Sequence, residues 1–222
     1  MEINLKKQWL VSIIRTRITR ITFRRFRSCL NGLTVVMSSA LQLTLSEYNH
    51  MVACGAFEAI NRKVELIRGE IREMNPAGPV HDDLIDYLYD WSVRSTERSS
   101  IHIRGQSGMD LPQLDSRPEP DVFWVKAKRY LDGHPTGQDT LLAIEVADSS
   151  LKSDRTTKAD LYAEAGIQEY WVVDVQGKCI YAMREVASDG HYGWQRTYTF
   201  GDKLSPLAQP KAILDILDLF GT

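Results

Sequence analysis

Cysteine is scarce in this chain, with Cys29, Cys54 and Cys179 among 222 residues, an odd count with no CxxC pair. That argues against both a disulfide framework and a structural zinc site built on paired thiolates. A reducing cytoplasm is the expected compartment. Long apolar runs are also missing: none approaches the roughly 18 residues that a membrane-spanning helix needs, and mean hydropathy is negative. There is no internal repeat and no low-complexity tract. A hydrophobic content of 43% and a charged content of 25% fit one ordinary globular domain, with or without an appendage.

The chain also has little net charge, −2 overall, but that figure hides an asymmetry. Residues 1–36 hold eight Lys or Arg against the single acid Glu2, a net of +7, which leaves −9 for residues 37–222. The apolar run from Trp9 to Ile14 is too short for a signal-peptide core and ends at Arg15. Because Met37 opens a plausible start ahead of the first well-capped helix, residues 1–38 are expected to be a basic extension, disordered or derived from an upstream start. A targeting segment or a phosphate-gripping arm are the alternatives. Residues 39–222 are expected to form the folded domain.

Along that domain, Thr44 and Glu47 make a T-x-x-E capping box, and the helix they open should stop near Gly55. Val64 to Met74 reads as a hairpin about Arg68-Gly69. Asn75 to Pro79 is a loop, and a long helix follows with the stripe Val80, Leu84, Leu88 and Trp91. Strands are expected at Ile101–Gln106, Asp121–Val125 and Leu141–Asp148. Ser153 is the expected N-cap of a helix running to about Ala165, closed by Gly166. EYWVVDV and KCIYAMREV pair antiparallel, Trp194 to Phe200 adds a strand, and Ala212 to Phe220 reads as a terminal helix. This order predicts an α/β or α+β fold, a sheet with helices packed on it.

Three ionisable residues stand where burial is expected. Leu141 to Asp148, LLAIEVAD, is a near-continuous apolar run interrupted by Glu145. A buried carboxylate without a partner costs several kcal/mol, so Glu145 needs a cation, a proton or strong hydrogen bonds. Lys158, Leu161, Tyr162 and Ala165 fall on one helical face, and that face should pack on the sheet and turn Lys158 toward Glu145. Asp154, one turn earlier, can pair with Lys158 locally. Asp121 begins a strand after Pro120, where a sheet opens to solvent. Two hard carboxylates with water and a backbone carbonyl suit Mg²⁺ or Mn²⁺ better than zinc. With a lysine beside them they read as a site for metal-assisted phosphodiester hydrolysis.

The segments PDVFWV and LLAIEVADSSLKSDRTTKADLYAEAGIQEYWVVD, with VELIRGEIREMNPAGPVHDDLIDYL upstream, resemble the Uma-two family of endonucleases within the PD-(D/E)xK restriction-endonuclease-like superfamily. The likeness spans roughly residues 41 to 186, with its pieces in family order. It implies a restriction-endonuclease-like core, a mixed central sheet flanked by helices, and Mg²⁺-dependent cleavage of DNA. By position it makes Asp121 and Glu145 metal ligands, and it assigns the catalytic lysine to Lys158, where the superfamily's usual position holds Ala147. Glu65 matches a further acid of the family's first hairpin. Val146-Ala147-Asp148-Ser149-Ser150 departs from the Leu-Ser-Pro that often follows the glutamate. The resemblance also admits a homodimer, for which the terminal helix could serve as an interface.

Other reactive residues have plainer readings. His81 reads as packed or exposed in the first turn of its helix, Asp82 and Asp83 as favourable charges at that helix start, and Glu169 as structural. Trp124, Tyr170, Trp171, Cys54 and Cys179 read as core. The rival to a nuclease is a catalytically inactive module of the same fold that binds protein or nucleic acid. A different metal-dependent phosphoester hydrolase is a third reading.

Overall fold

Alternating and doubly buried strands account for the centre of the molecule. The computed structural model describes residues 40–58, 62–74 and 78–221. The basic segment 1–38, Cys29 and residues 75–77 of the predicted loop lie outside the described residues. Thr44 caps α1 (Leu45–Ala53) through the predicted box: its Oγ1 accepts from Glu47 N at 3.2 Å, and Glu47 Oε2 accepts from Thr44 N at 2.8 Å. The hairpin β1 (Val64–Ile67) and β2 (Glu70–Glu73) turns at Arg68 and Gly69, whose φ angles of 50° and 77° place both in the left-handed region that a tight hairpin requires.

Six strands form the main sheet in the order β3 (Ile101–Gly105), β4 (Val122–Lys126), β5 (Thr140–Ala147), β6 (Glu169–Asp174), β7 (Cys179–Val186) and β8 (Tyr192–Tyr198). Among these only β5 and β6 run parallel, so the sheet is mixed. The β5–β6 connection is helical. It comprises an α-helical turn Leu151–Ser153, a π-helical turn Asp154–Lys158 and an α-helical segment Ala159–Glu164, together α3. On one face of the sheet α2 (Pro79–Ser95) packs Leu84, Leu88 and Trp91 onto Trp124, Leu142, Ile144 and Val173. On the other, Leu161, Tyr162 and Ala163 of α3 pack onto Phe123, Ala143, Tyr170 and Val172. Each fully buried large apolar side chain contributes about 1.5–3 kcal/mol, which explains why β4, β5 and β6 tolerate so few polar residues.

The expected α+β sheet with helices on it is therefore what the chain forms, with local differences. Val80 is 61% exposed while Leu84 is 3% exposed, because the packed span of α2 starts one turn later than the stripe suggests. Ser153 lies inside a helix that begins at Leu151 and is no N-cap; the preceding Ser150 makes no capping side-chain bond. The terminal helix α4 covers only Ile216–Phe220. Leu214 and Asp215 instead form β10, paired with β9 (Lys203–Leu204), and Asp215 then caps α4 by accepting from Leu217 N at 3.0 Å. Cys179 is buried as expected, but Cys54 is exposed at the C-cap of α1, beyond the packed part of that helix. No helix among the described residues is long and apolar enough to cross a membrane.

Candidate active site

Strand register brings the first two acids together. Val122 on β4 pairs antiparallel with Ile144 on β5, so continuing one residue sets Asp121 across from Glu145. Asp121 Oδ2 accepts from Val146 N at 2.8 Å, which ties the side chain to the neighbouring strand. Glu145 points to the α3 face, where Ala143 and Ala147 leave room beside it. Its Oε1 accepts from Lys158 Nζ at 3.0 Å and from the Tyr162 hydroxyl at 2.7 Å.

The hairpin supplies the third wall. Leu66 exchanges backbone hydrogen bonds with Arg117, at 2.7 and 3.3 Å, and this fixes β1 against the loop that leads into Asp121. Glu65 is thereby buried, with Oε2 3.3 Å from Lys158 Nζ and accepting from Glu119 N at 3.4 Å. Asp154, four residues before Lys158 at the start of the π turn, is buried as well, with Lys158 among its charged neighbours. So the structure gathers Glu65, Asp121, Glu145 and Lys158, and adds Asp154.

The electrostatics follow from four buried carboxylates sharing one ammonium. Burial pushes Glu145 well above the usual carboxylate range; Lys158 opposes this, while Asp121, Asp154 and Glu65 reinforce it. Asp121 is raised by burial against the pull of the Val146 N–H, His81 and Lys158. Asp154 is raised for the same first cause, against Lys158 and a Ser150 hydrogen bond. For Lys158 burial alone would favour the neutral amine, but Glu145, Glu65 and Asp154 outweigh it and hold the ammonium charged. The cluster thus holds more carboxyl groups than cations, on hard oxygen donors whose ionised form a divalent cation such as Mg²⁺ or Mn²⁺ would favour. Asp121 and Glu145 are the donors that could hold one. Among the described residues no three His, Cys, Asp or Glu side chains already stand as a ready ligand group.

Comparison with known proteins bears on this arrangement. The sequence profile of Uma2, described as "Putative restriction endonuclease", matches residues 45–216. The chain belongs to the Uma2 family. Its fold is similar to that of a protein from Anabaena variabilis ATCC 29413, whose 1.96 Å crystal structure is described as a putative nuclease belonging to DUF820. That likeness has a TM-score of 0.61 at 16% identity and covers 80% of this chain and 97% of the other. No curated protein sequence matches the chain. The Uma2 match takes in both the hairpin with Glu65 and the segment from Asp121 to Lys158.

Some neighbours of the cluster were not read from the sequence as part of it. Tyr162 falls on the apolar face of its helix, yet its place four residues after Lys158 brings its hydroxyl to Glu145, which Lys158 also meets. His81 lies with Nε2 3.8 Å from Asp121 Oδ2. Its Nδ1 is buried without a hydrogen-bond partner. Glu119, raised mainly by burial, donates its N–H to Glu65 at 3.4 Å, and Gln106 donates its N–H to the Asp121 carbonyl at 3.1 Å, so both adjoin the cluster. Glu169, expected to be structural, is fully buried and accepts from Trp171 Nε1 at 2.9 Å, Arg184 Nε at 2.8 Å and Leu207 N at 2.6 Å.

Proposed function

We propose that this chain is a DNA endonuclease that hydrolyses phosphodiester bonds with Mg²⁺ or Mn²⁺ held by Asp121 and Glu145. The observation that carries the reading is Lys158, buried and charged between Glu145 and Glu65 at the point where Asp121 stands across from Glu145. A bound cation there would make its water a stronger nucleophile and offset charge on a phosphoryl oxygen. Asp121, held by the Val146 N–H, presents its carboxylate without needing to reorganise. Glu145 can turn toward the cation because Lys158 keeps a second anchor on Glu65. Lys158 then directs the attacking water and stabilises the negative charge that develops on phosphorus oxygens. Glu65 fixes the lysine and reaches the site through it or through water.

A non-catalytic binding module of the same fold is the second reading. It is favoured by one feature: Glu145 Oε1 is already satisfied by Lys158 and Tyr162. The two readings separate on incubation of supercoiled and single-stranded DNA with the protein in Mg²⁺, Mn²⁺ or EDTA, beside Asp121→Asn and Lys158→Ala. Metal-dependent nicking that both substitutions abolish supports the nuclease. Nicking that persists in both removes this site, and a protein that binds DNA and cuts none supports the module.

A further inference from the structure

The acidic balance of the folded part, −9 over residues 37–222, raises the question of what draws a polyanion to a cluster of four carboxylates. Lys158 is consumed within the cluster, and Arg117 is bound to Asp110 at 2.6 Å. Lys63, just before β1, is different. It is exposed, it forms no ion pair within 4.0 Å among the described residues, and its Nζ donates to the neutral amide oxygen Oε1 of Gln106 at 3.5 Å. Through Gln106, whose N–H reaches the Asp121 carbonyl at 3.1 Å, the charge of Lys63 stands beside the strand start that carries the first acid of the site.

Gln106 is held there by its backbone. It follows β3 with φ +43°, in the left-handed region that glycine adopts freely and glutamine does not, and its N–H is shared between the carbonyls of Pro120 and Asp121, each at 3.1 Å. Its side-chain oxygen accepts from Lys63, and its backbone N–H donates to the Asp121 carbonyl. One residue in a strained conformation thus connects a predicted metal ligand to an uncommitted cation.

We propose that Lys63 contacts a backbone phosphate of the DNA flanking the one that is cut, and that Gln106 is the positioning residue that sets Lys63 and Asp121 at a fixed relation. The proposal rests on the nuclease reading for its substrate, but binding tests it apart from cleavage. A single phosphate contact contributes counterion release of about 0.9 to the slope of log K against log salt on duplex DNA.

The experiment measures fluorescence anisotropy of a short labelled duplex with the full chain in Ca²⁺ across a salt series, for wild type, Lys63→Gln and Gln106→Gly, with a melting curve for each. Lys63→Gln is expected to weaken binding several-fold and to lower the salt slope by about 0.9. Gln106→Gly relieves the backbone strain, so its melting temperature should hold or rise while its salt slope falls and KM for nicking increases. Wild-type affinity and slope in Lys63→Gln overturn the phosphate contact. A wild-type slope and KM in Gln106→Gly overturn the positioning role. If the wild type binds with the Lys63-dependent slope yet cuts nothing, the cleavage reading fails and the phosphate contact stands.

Discussion

Tyr162 donates its hydroxyl to Glu145 Oε1 at 2.7 Å, the same oxygen that receives Lys158 Nζ at 3.0 Å. Both donors come from α3, one turn apart, and both are buried. The carboxylate is therefore held by its own crossover helix, and the helix register decides where Glu145 points. Removing the hydroxyl while keeping the ring tests this. Tyr162→Phe should destabilise the protein by about 1–2 kcal/mol in urea unfolding, since it takes a hydrogen bond from a buried charged acceptor. Its nicking rate should fall by less than that of an Asp121 variant, because Lys158 still holds Glu145.

Lys158 carries a larger structural burden. Lys158→Met leaves Glu145, Glu65 and Asp154 without their cation, and losing one partner of a buried pair costs about 3–5 kcal/mol. Denaturant midpoints in EDTA should show that loss, and added Mg²⁺ should recover part of it in the variant. A midpoint equal to wild type would mean that the carboxylates do not depend on the ammonium.

The surplus carboxylates make a pH prediction. Glu145, Asp121 and Asp154 all have folded-state pKa values raised above the ordinary 4.5 or 3.8, mainly by burial. A raised carboxylate binds more protons folded than unfolded, so stability falls as pH rises from the unfolded value through the folded one. Asp154→Asn removes one such group, and each pKa unit relieved is worth about 1.4 kcal/mol. Thermal melts in EDTA at neutral pH should therefore place Asp154→Asn above wild type, with the gap closing as pH drops toward 4. A variant less stable than wild type at neutral pH contradicts the assignment of Asp154 to the overcharged cluster.

Glu169 supplies the contrast. It is buried on β6, bound to Arg184, Trp171 and the Leu207 N–H, and away from the Lys158 cluster. Glu169→Ala orphans Arg184 and should cost about 3–5 kcal/mol, while nicking per folded molecule at low temperature stays close to wild type. A selective loss of activity without a loss of stability would place Glu169 in the site.

The parts of this arrangement that obey a period were legible in the sequence. Glu145 stood out as a charge inside an apolar strand, and the i, i+4 face of the following helix turned Lys158 toward it. Asp121 is legible from its place at a strand start after Pro120, where a sheet opens to solvent, while its antiparallel register with Glu145 is seen only in the fold. Features that depend on backbone geometry or on distant partners were not legible. The π turn at Asp154–Lys158 gives no periodic signal, and Ser153, a residue type that favours N-caps, marks a start that the backbone makes earlier, at Leu151. The positive φ of Gln106 arises from the way β3 leaves the sheet, and nothing in a residue string marks it. Glu65 could be read either as solvent-facing or as a ligand, because the bridge from Leu66 to Arg117 that buries it joins segments 51 residues apart. Ala212 and Leu214 looked helical since their apolar spacing fits a helix, but the backbone of Leu214 is taken by β9.

The central claim concerns Asp121 and Glu145 as the carboxylates that hold the cation. Its most direct test is the single-turnover nicking rate of supercoiled DNA in Mg²⁺ for wild type and Asp121→Asn, each shown to be folded by its melting curve. The amide can still accept from the Val146 N–H but carries no charge for a cation. The account predicts a melting temperature at or above that of wild type and a rate lower by about a hundredfold or more. A folded Asp121→Asn protein that nicks at the wild-type rate would contradict it.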